Sequence, residues 1–256
     1  MKNLLEIKVF TILTPKITGL FQVILISLSG SYSANCQSLN ISIVPEYATY
    51  KMSELKKFQS QQAAIVLDSL LTNPKVMYDF PSYWGLSLNS SYSFSKHSYH
   101  LNLGYNVTGG RLHYSDYSGL IKIDKQVKSN HLSAAYSYSI VSAEHFQIKT
   151  GIALGVSFSS LRAYDNVEIY VSDEVVNESN KYHSKQLFVN PDIAFYLLPL
   201  KNIFLQMRIG YLQQIHSSGQ KNEVPHPNDN IPSSLKLDWS GFRIGAGIGY
   251  KFNLKK

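Results

Sequence analysis

Large apolar and small or polar residues alternate strictly over eight stretches of this chain, and no long apolar run follows residue 37. A period of two puts successive side chains on opposite faces, the mark of a β-strand between two different surroundings. Ile41, Ile43, Pro45 and Tyr47 open the series. Trp84–Phe94, Tyr99–Val107, Leu132–Ile140 and Phe146–Phe158 follow, then Leu187–Leu197 interrupted by Pro191, Ile203–Tyr211 and Phe242–Phe252.

The connections alternate as regularly as the strands. SKHS, SAEH and PLKN are tight turns, whereas residues 51–82, 108–130, 159–185 and 214–238 are long and polar. Short turns at one end and long loops at the other predict an up-and-down meander of eight strands. The first long loop contains SELKKFQSQQAAIVLDSLL, residues 53–71. Ser53 is placed to cap a helix there, with Leu55, Phe58 and Ala63 to Val66 as a rough apolar stripe. This predicts a short helix over the loop-end rim, with a partner-binding helix as the alternative.

The contrast between the two faces decides the solvent. In the last strand Phe242, Ile244, Ala246, Ile248, Tyr250 and Phe252 share one face; Gly241, Arg243, Gly245, Gly247, Gly249 and Lys251 share the other. The corresponding faces of the other strands are likewise rich in Gly, Ala and Ser with single charges. Small side chains suit the crowded interior of a narrow barrel. The large apolar face therefore points outward, to lipid. A soluble ligand-carrying barrel, with the large residues inward, would carry an outer surface almost free of charge, a poor arrangement for solubility. The fold expected is all-β: an eight-stranded antiparallel up-and-down transmembrane β-barrel with short periplasmic turns and long extracellular loops.

Composition agrees. The chain has 18 Tyr and is only 16% charged. Tyr83, Trp84, Tyr92, Tyr99, Tyr136, Tyr138, Tyr211, Trp239 and Tyr250 gather towards strand ends, where amphipathic rings favour the membrane interface. Five charges fall on the inward face: Glu46, Lys149, Asp192, Arg208 and Arg243. Each is expensive to desolvate alone, so a mutual lumen network is expected, filling a structural plug. A narrow gated conduit is the alternative.

Residues 1–36 differ from the rest. Lys2, Lys8 and Lys16 precede the apolar run ITGLFQVILISL and the small, polar SGSYSANCQS, the layout of a cleaved signal peptide. The domains expected are thus a signal peptide over 1–36 and a barrel over 37–256. A retained anchor helix, or acylation of Cys36, are the alternatives. Loss of three lysines and Glu6 with that segment lowers the formal charge from +7 to +5. Cys36 is the single cysteine, so neither an intrachain disulfide nor a cysteine-based metal cluster forms. No basic block with interleaved aromatics is present, and no nucleic-acid partner is expected.

The stretches YATYKMSELKKFQ (47–59), TGGRLHYSDYSG (108–119) and LDWSGFRIGAGIGYKF (237–252) resemble the small outer-membrane β-barrel proteins of Bacteroidetes-type bacteria. The resemblance spans essentially all of the chain after residue 36 and implies an eight-stranded barrel, commonly without an assigned activity. The last segment also looks like the signal read by barrel-insertion machinery, with Gly247, Tyr250 and Phe252 at its glycine and aromatic positions. Two departures are the tail Asn253-Leu254-Lys255-Lys256 and Gly245 at the polar position.

In TGGRLHYSDYSG, Gly109-Gly110 are expected to bend the chain as it leaves the membrane, and Asp116 with Gly119 to form a turn. Arg111, His113, Tyr114 and Tyr117 are a candidate recognition patch; the structural alternative pairs Arg111 with Asp116 or a neighbouring loop. Histidines are scattered over turns and loops, and there is no GxSxG, HExxH or phosphate-binding glycine loop. No catalytic residue, metal or cofactor is therefore assigned. The expected role is structural, in assembly or in an envelope complex, with outer-membrane lipid and the insertion machinery as partners. Surface binding or adhesion through the loops, including QKNEVPHPNDNIP with Pro225, Pro227 and Pro232, is the alternative. A lipid-modifying hydrolase is a lesser one.

Overall fold

The computed structural model describes residues 37–70, 75–117, 119–170, 174–198, 200, 202–218, 221–222 and 236–254. The expected signal peptide, Cys36, Pro199 and Lys201 of PLKN, and the three loop prolines lie outside the described residues. Strand β1 covers Gln37–Ala48 and helix α1 Ser53–Leu70; then come β2 (Lys75–Asp79), β3 (Tyr83–Phe94), β4 (His97–Ser115) and β5 (Gly119–Ser142). They are followed by β6 (Phe146–Ile169), β7 (Glu174–Leu197), β8 (Ile203–Ser217), β9 (Lys221–Asn222) and β10 (Gly241–Leu254).

Each strand pairs antiparallel with the next, in the ring β1-β3-β4-β5-β6-β7-β8-β10. Pairing of β1 with both β3 and β10 closes it. Closure removes both sheet edges, which a spanning sheet requires in hydrocarbon. The two remaining strands extend the wall at the loop end: β2 pairs with β4 above β3, and β9 with β7 beyond β8.

A belt of outward apolar side chains surrounds the ring. Ile43, Leu88, Leu103, Leu132, Leu154, Ile193, Leu205 and Ile248 are all exposed, while Ser42, Ser87, Asn102, Ser133 and Arg243 are buried. A soluble protein arranges these the other way. The outer solvent is hydrocarbon, and the chain is a transmembrane β-barrel. Among the described residues no helix is long and apolar enough to cross a membrane; the strands cross it.

Three expectations change. First, residues 108–130 and 159–185 are largely strand, because β4–β5 and β6–β7 continue as paired hairpins far past the apolar belt. There the pattern inverts: Leu112, Val127, Leu161, Ala163 and Tyr182 point inward and are buried, while Arg111, Gln126 and Arg162 face outward beside Tyr164 and Val175. Second, Gly109-Gly110 make no bend. The strand runs straight through them because close neighbours need the room: a Cβ on Gly110 would stand 2.9 Å from the Phe80 ring and closer still to Gln59, and one on Gly109 would be 2.9 Å from the Lys125 carbonyl oxygen. Third, Pro191 does not interrupt β7. It faces outward opposite Ile152, and only the ladder to β8 lapses beside it, resuming at Asp192.

Candidate functional site: the lumen and its mouth

Between Arg243 and Lys251 the lumen side of β10 is bare backbone: Gly245, Gly247 and Gly249. Gly245 lies in register between Glu46 on β1 and Arg208 on β8. With no side chain between them, Arg208 Nη2 donates to Glu46 Oε1 over the glycine. A Cβ on Gly245 would come within 2.8 Å of Glu46 Cγ. Below this pair, Ser42 Oγ donates to Gln206 Oε1 at 3.3 Å in the same manner. The other guanidinium edge of Arg208 points at Asp192, with Nε 3.7 Å from Oδ2.

The five sequence-selected charges all face inward but are not joined by one run of direct hydrogen bonds. Glu46, Arg208 and Asp192 make one cluster. Arg243, close enough for its charge to act on Glu46, donates instead to Asn106 Oδ1 at 3.3 Å, and Lys149 donates to Ser98 Oγ at 2.9 Å. Strand register separates them, and register is what decides reach across a barrel. Bulky inward rings are accommodated by glycines directly opposite: His131 faces Gly104, Phe188 faces Gly155 and Phe204 faces Gly249. His131, expected in or near a loop, is a lumen residue whose ring contacts Phe188 edge-on and whose Nδ1 lies 3.2 Å from Asn106 Nδ2.

The loop end is sealed. At Met52 the chain adopts a left-handed φ of 42° and turns into the mouth, so the start of α1 packs within the rim instead of lying over it. Met52, Leu55, Phe80, Val127, Leu161, Tyr182, Leu237 and Trp239 form one buried apolar cluster with Phe58 packed against it. Phe80, with φ 48°, enters between β2 and β3. Trp239 Nε1 donates to Ser159 Oγ at 2.8 Å and its ring meets Tyr50 edge-on. Of the expected apolar stripe, Ala64 is exposed, while the side chains of Ala63, Ile65 and Val66 lie outside the described residues. Lys125 is buried under α1, donating to Gln62 Oε1 and lying 4.7 Å over the Phe58 ring. Burial pulls its pKa down to about 8, against the opposing charge of Asp165.

Beneath this seal the free space is small. The cavity beside the Glu46–Arg208–Asp192 cluster measures about 30 Å³, room for about two waters. At the short-turn end the lumen widens into a polar recess of about 200 Å³.

The candidate recognition patch does not form one surface. Alternation places Arg111 and His113 outside and Tyr114 on the inward side. Arg111 pairs with Asp124, not Asp116, through Nε at 2.5 Å and Nη2 at 3.0 Å. Asp116 holds the turn, accepting from the Gly119 amide at 3.2 Å and from the Tyr114 hydroxyl. Tyr117 is 94% exposed at the hairpin tip. Of the candidate assembly signal, Gly247 lies against the β1 backbone, while Tyr250 and Phe252 face outward in edge contact, ring centroids 4.7 Å apart. Among the described residues no cluster of His, Cys, Asp or Glu has metal-ligand geometry.

No family model matches this sequence, and no curated protein matches it significantly. Solved structures similar to it include Ail, the attachment invasion locus protein of Yersinia pestis, in complex with the heparin analogue sucrose octasulfate (12% identity, 86% of this chain and 100% of that one, TM-score 0.37). A major outer membrane protein from Thermus thermophilus is 10% identical over 84% of this chain and 99% of that one, with a TM-score of 0.48. The outer membrane protein OprG from Pseudomonas aeruginosa is 14% identical over 88% and 99%, with a TM-score of 0.42.

Proposed function

We propose that this protein is a non-conducting outer-membrane barrel of a Gram-negative bacterium, exported with its N-terminal segment removed, and that its role is structural, within an envelope complex. The short turns then face the periplasm and the sealed mouth faces outside. The observation that carries this reading is the filled lumen: an ion cluster at mid-height and an apolar plug above it. A conduit needs a continuous polar path, and Leu237, Trp239 and Leu55 stand across it. The reading is non-enzymatic, and the Bacteroidetes-type resemblance fits it.

Purified protein in planar bilayers is expected to give no conductance steps; a stable open level would overturn the non-conducting reading. Cross-linking in outer membranes tests the envelope role, which predicts recovery of other envelope proteins in stoichiometric amount.

Outer-membrane lipid is the partner with the most direct support. Lys128, Arg162 and Lys185 face outward on neighbouring strands just above Leu132, Phe158 and Leu187, at the height of headgroups. Lys185 Nζ lies 5.8 Å over the Phe158 ring. Cations at that level attract anionic headgroups, each worth about 1 kcal/mol.

A further inference from the structure

The lumen charges are shared unevenly. Glu46 and Asp192 both serve Arg208, whereas the described hydrogen-bond and ring partners of Lys149 are neutral: the Ser98 hydroxyl and the Tyr196 ring, 5.0 Å away. Lys149 is only 6% exposed, and the charge that acts on it is a second ammonium, Lys251. A buried ammonium without a counter-charge is costly, and a like charge nearby adds to the cost.

Both lysines line the 200 Å³ recess at the short-turn end, together with Ser38, Asn40, Ser93 and Ser139. No carboxylate lines it among the described residues. Two cations and a wall of hydroxyl and amide donors match a tetrahedral oxyanion, whose oxygens each accept several hydrogen bonds. The recess narrows upward to the Glu46–Arg208–Asp192 cluster and its 30 Å³ cavity, too small to let an oxyanion through.

We propose that this recess binds a phosphate group, free or carried on an ester, between Lys149 and Lys251. Its entry from the periplasm rests on the orientation given above; the binding itself does not.

The test is isothermal titration of the detergent-folded full chain with inorganic phosphate, with glycerol 3-phosphate in a parallel arm and acetate as control. Saturable binding at one site is expected, in the millimolar range or tighter. K149M should weaken it about tenfold or more and K251Q by a smaller factor, with both variants still showing the gel shift of a folded barrel on boiling. Preference for the ester identifies a lipid-type headgroup as the source, and preference for the inorganic ion identifies free phosphate. No saturation by 10 mM in either arm (a level set by ~3 kcal/mol of binding), or binding unchanged in both folded variants, overturns the proposal. Because this titration needs no bilayer, its failure is separable from failure of the non-conducting reading, which conductance alone measures.

Discussion

Glu46 and Arg208 are 162 positions apart and on strands that do not touch, yet they form an ion pair because the residue between them, Gly245, has no side chain. The glycine row of β10 is thus a design for contact across a strand. It lets β1 and β8 tie the barrel together at its closing seam.

G245V should place two methyl groups in that gap and sever the pair. Breaking a buried ion pair leaves an uncompensated charge and costs about 3–5 kcal/mol. Urea unfolding in lipid vesicles should show a lower midpoint, with a loss of unfolding free energy of that size. A near-native midpoint would mean the pair contributes little.

Gly155 and Phe188 give a reciprocal test. A Cβ on Gly155 overlaps the Phe188 ring and stands 2.6 Å from Ser133 Cβ. G155A should destabilise by about 1–3 kcal/mol through overpacking. Combined with F188A it should cost less than the sum of the single changes, as coupled neighbours do. Strict additivity in the four-protein cycle would contradict the contact.

Lys125 makes the docking of α1 depend on pH. Its folded pKa, about 8, lies below the ordinary lysine value near 10.5. Between those values the unfolded chain binds more protons than the folded one, so stability rises with pH. The contribution is fully present above about pH 10.5 and is lost as pH falls through about 8. Hydrogen exchange of the α1 amides, corrected for intrinsic rates, should report tighter docking at pH 10 than at pH 7. In K125M, which keeps the stem over Phe58 and loses the charge, that difference should vanish.

The turn between β3 and β4 holds Ser95 at a left-handed φ of 51°. Glycine adopts that conformation without the Cβ penalty. S95G should raise stability by about 0.5–1 kcal/mol, read as a higher unfolding midpoint. A lower midpoint would show that the unfolded-chain entropy of glycine outweighs the strain.

At the mouth, Trp239 is held by its hydrogen bond to Ser159. W239A should cost about 3–5 kcal/mol by emptying a buried aromatic site. W239F keeps most of the apolar volume and should lose only about 1 kcal/mol with the hydrogen bond. Two variants with equal losses would place the value of Trp239 in that bond.

Much of the architecture is written in local sequence. Within the membrane belt, hydrocarbon outside and a polar, crowded lumen inside impose opposite demands on alternate residues. Phe242 to Phe252 against Gly245, Gly247 and Gly249 therefore give strand, face and solvent together. The contrast between SKHS-type turns and longer connections gives the up-and-down order. Above the belt, that contrast fades. Water replaces lipid outside and an apolar core replaces the polar lumen, so Leu112, Val127, Leu161 and Tyr182 reverse the face and the hairpins resemble loops in sequence.

Pairing was decided only in three dimensions. The inward direction of Lys149, Arg208 and Arg243 follows from parity along each strand, which is a local property. Whether an inward charge meets Glu46, Asn106 or an open recess depends on register and on the gap left by a glycine on the strand between. Those are properties of the closed ring, and no single segment carries them.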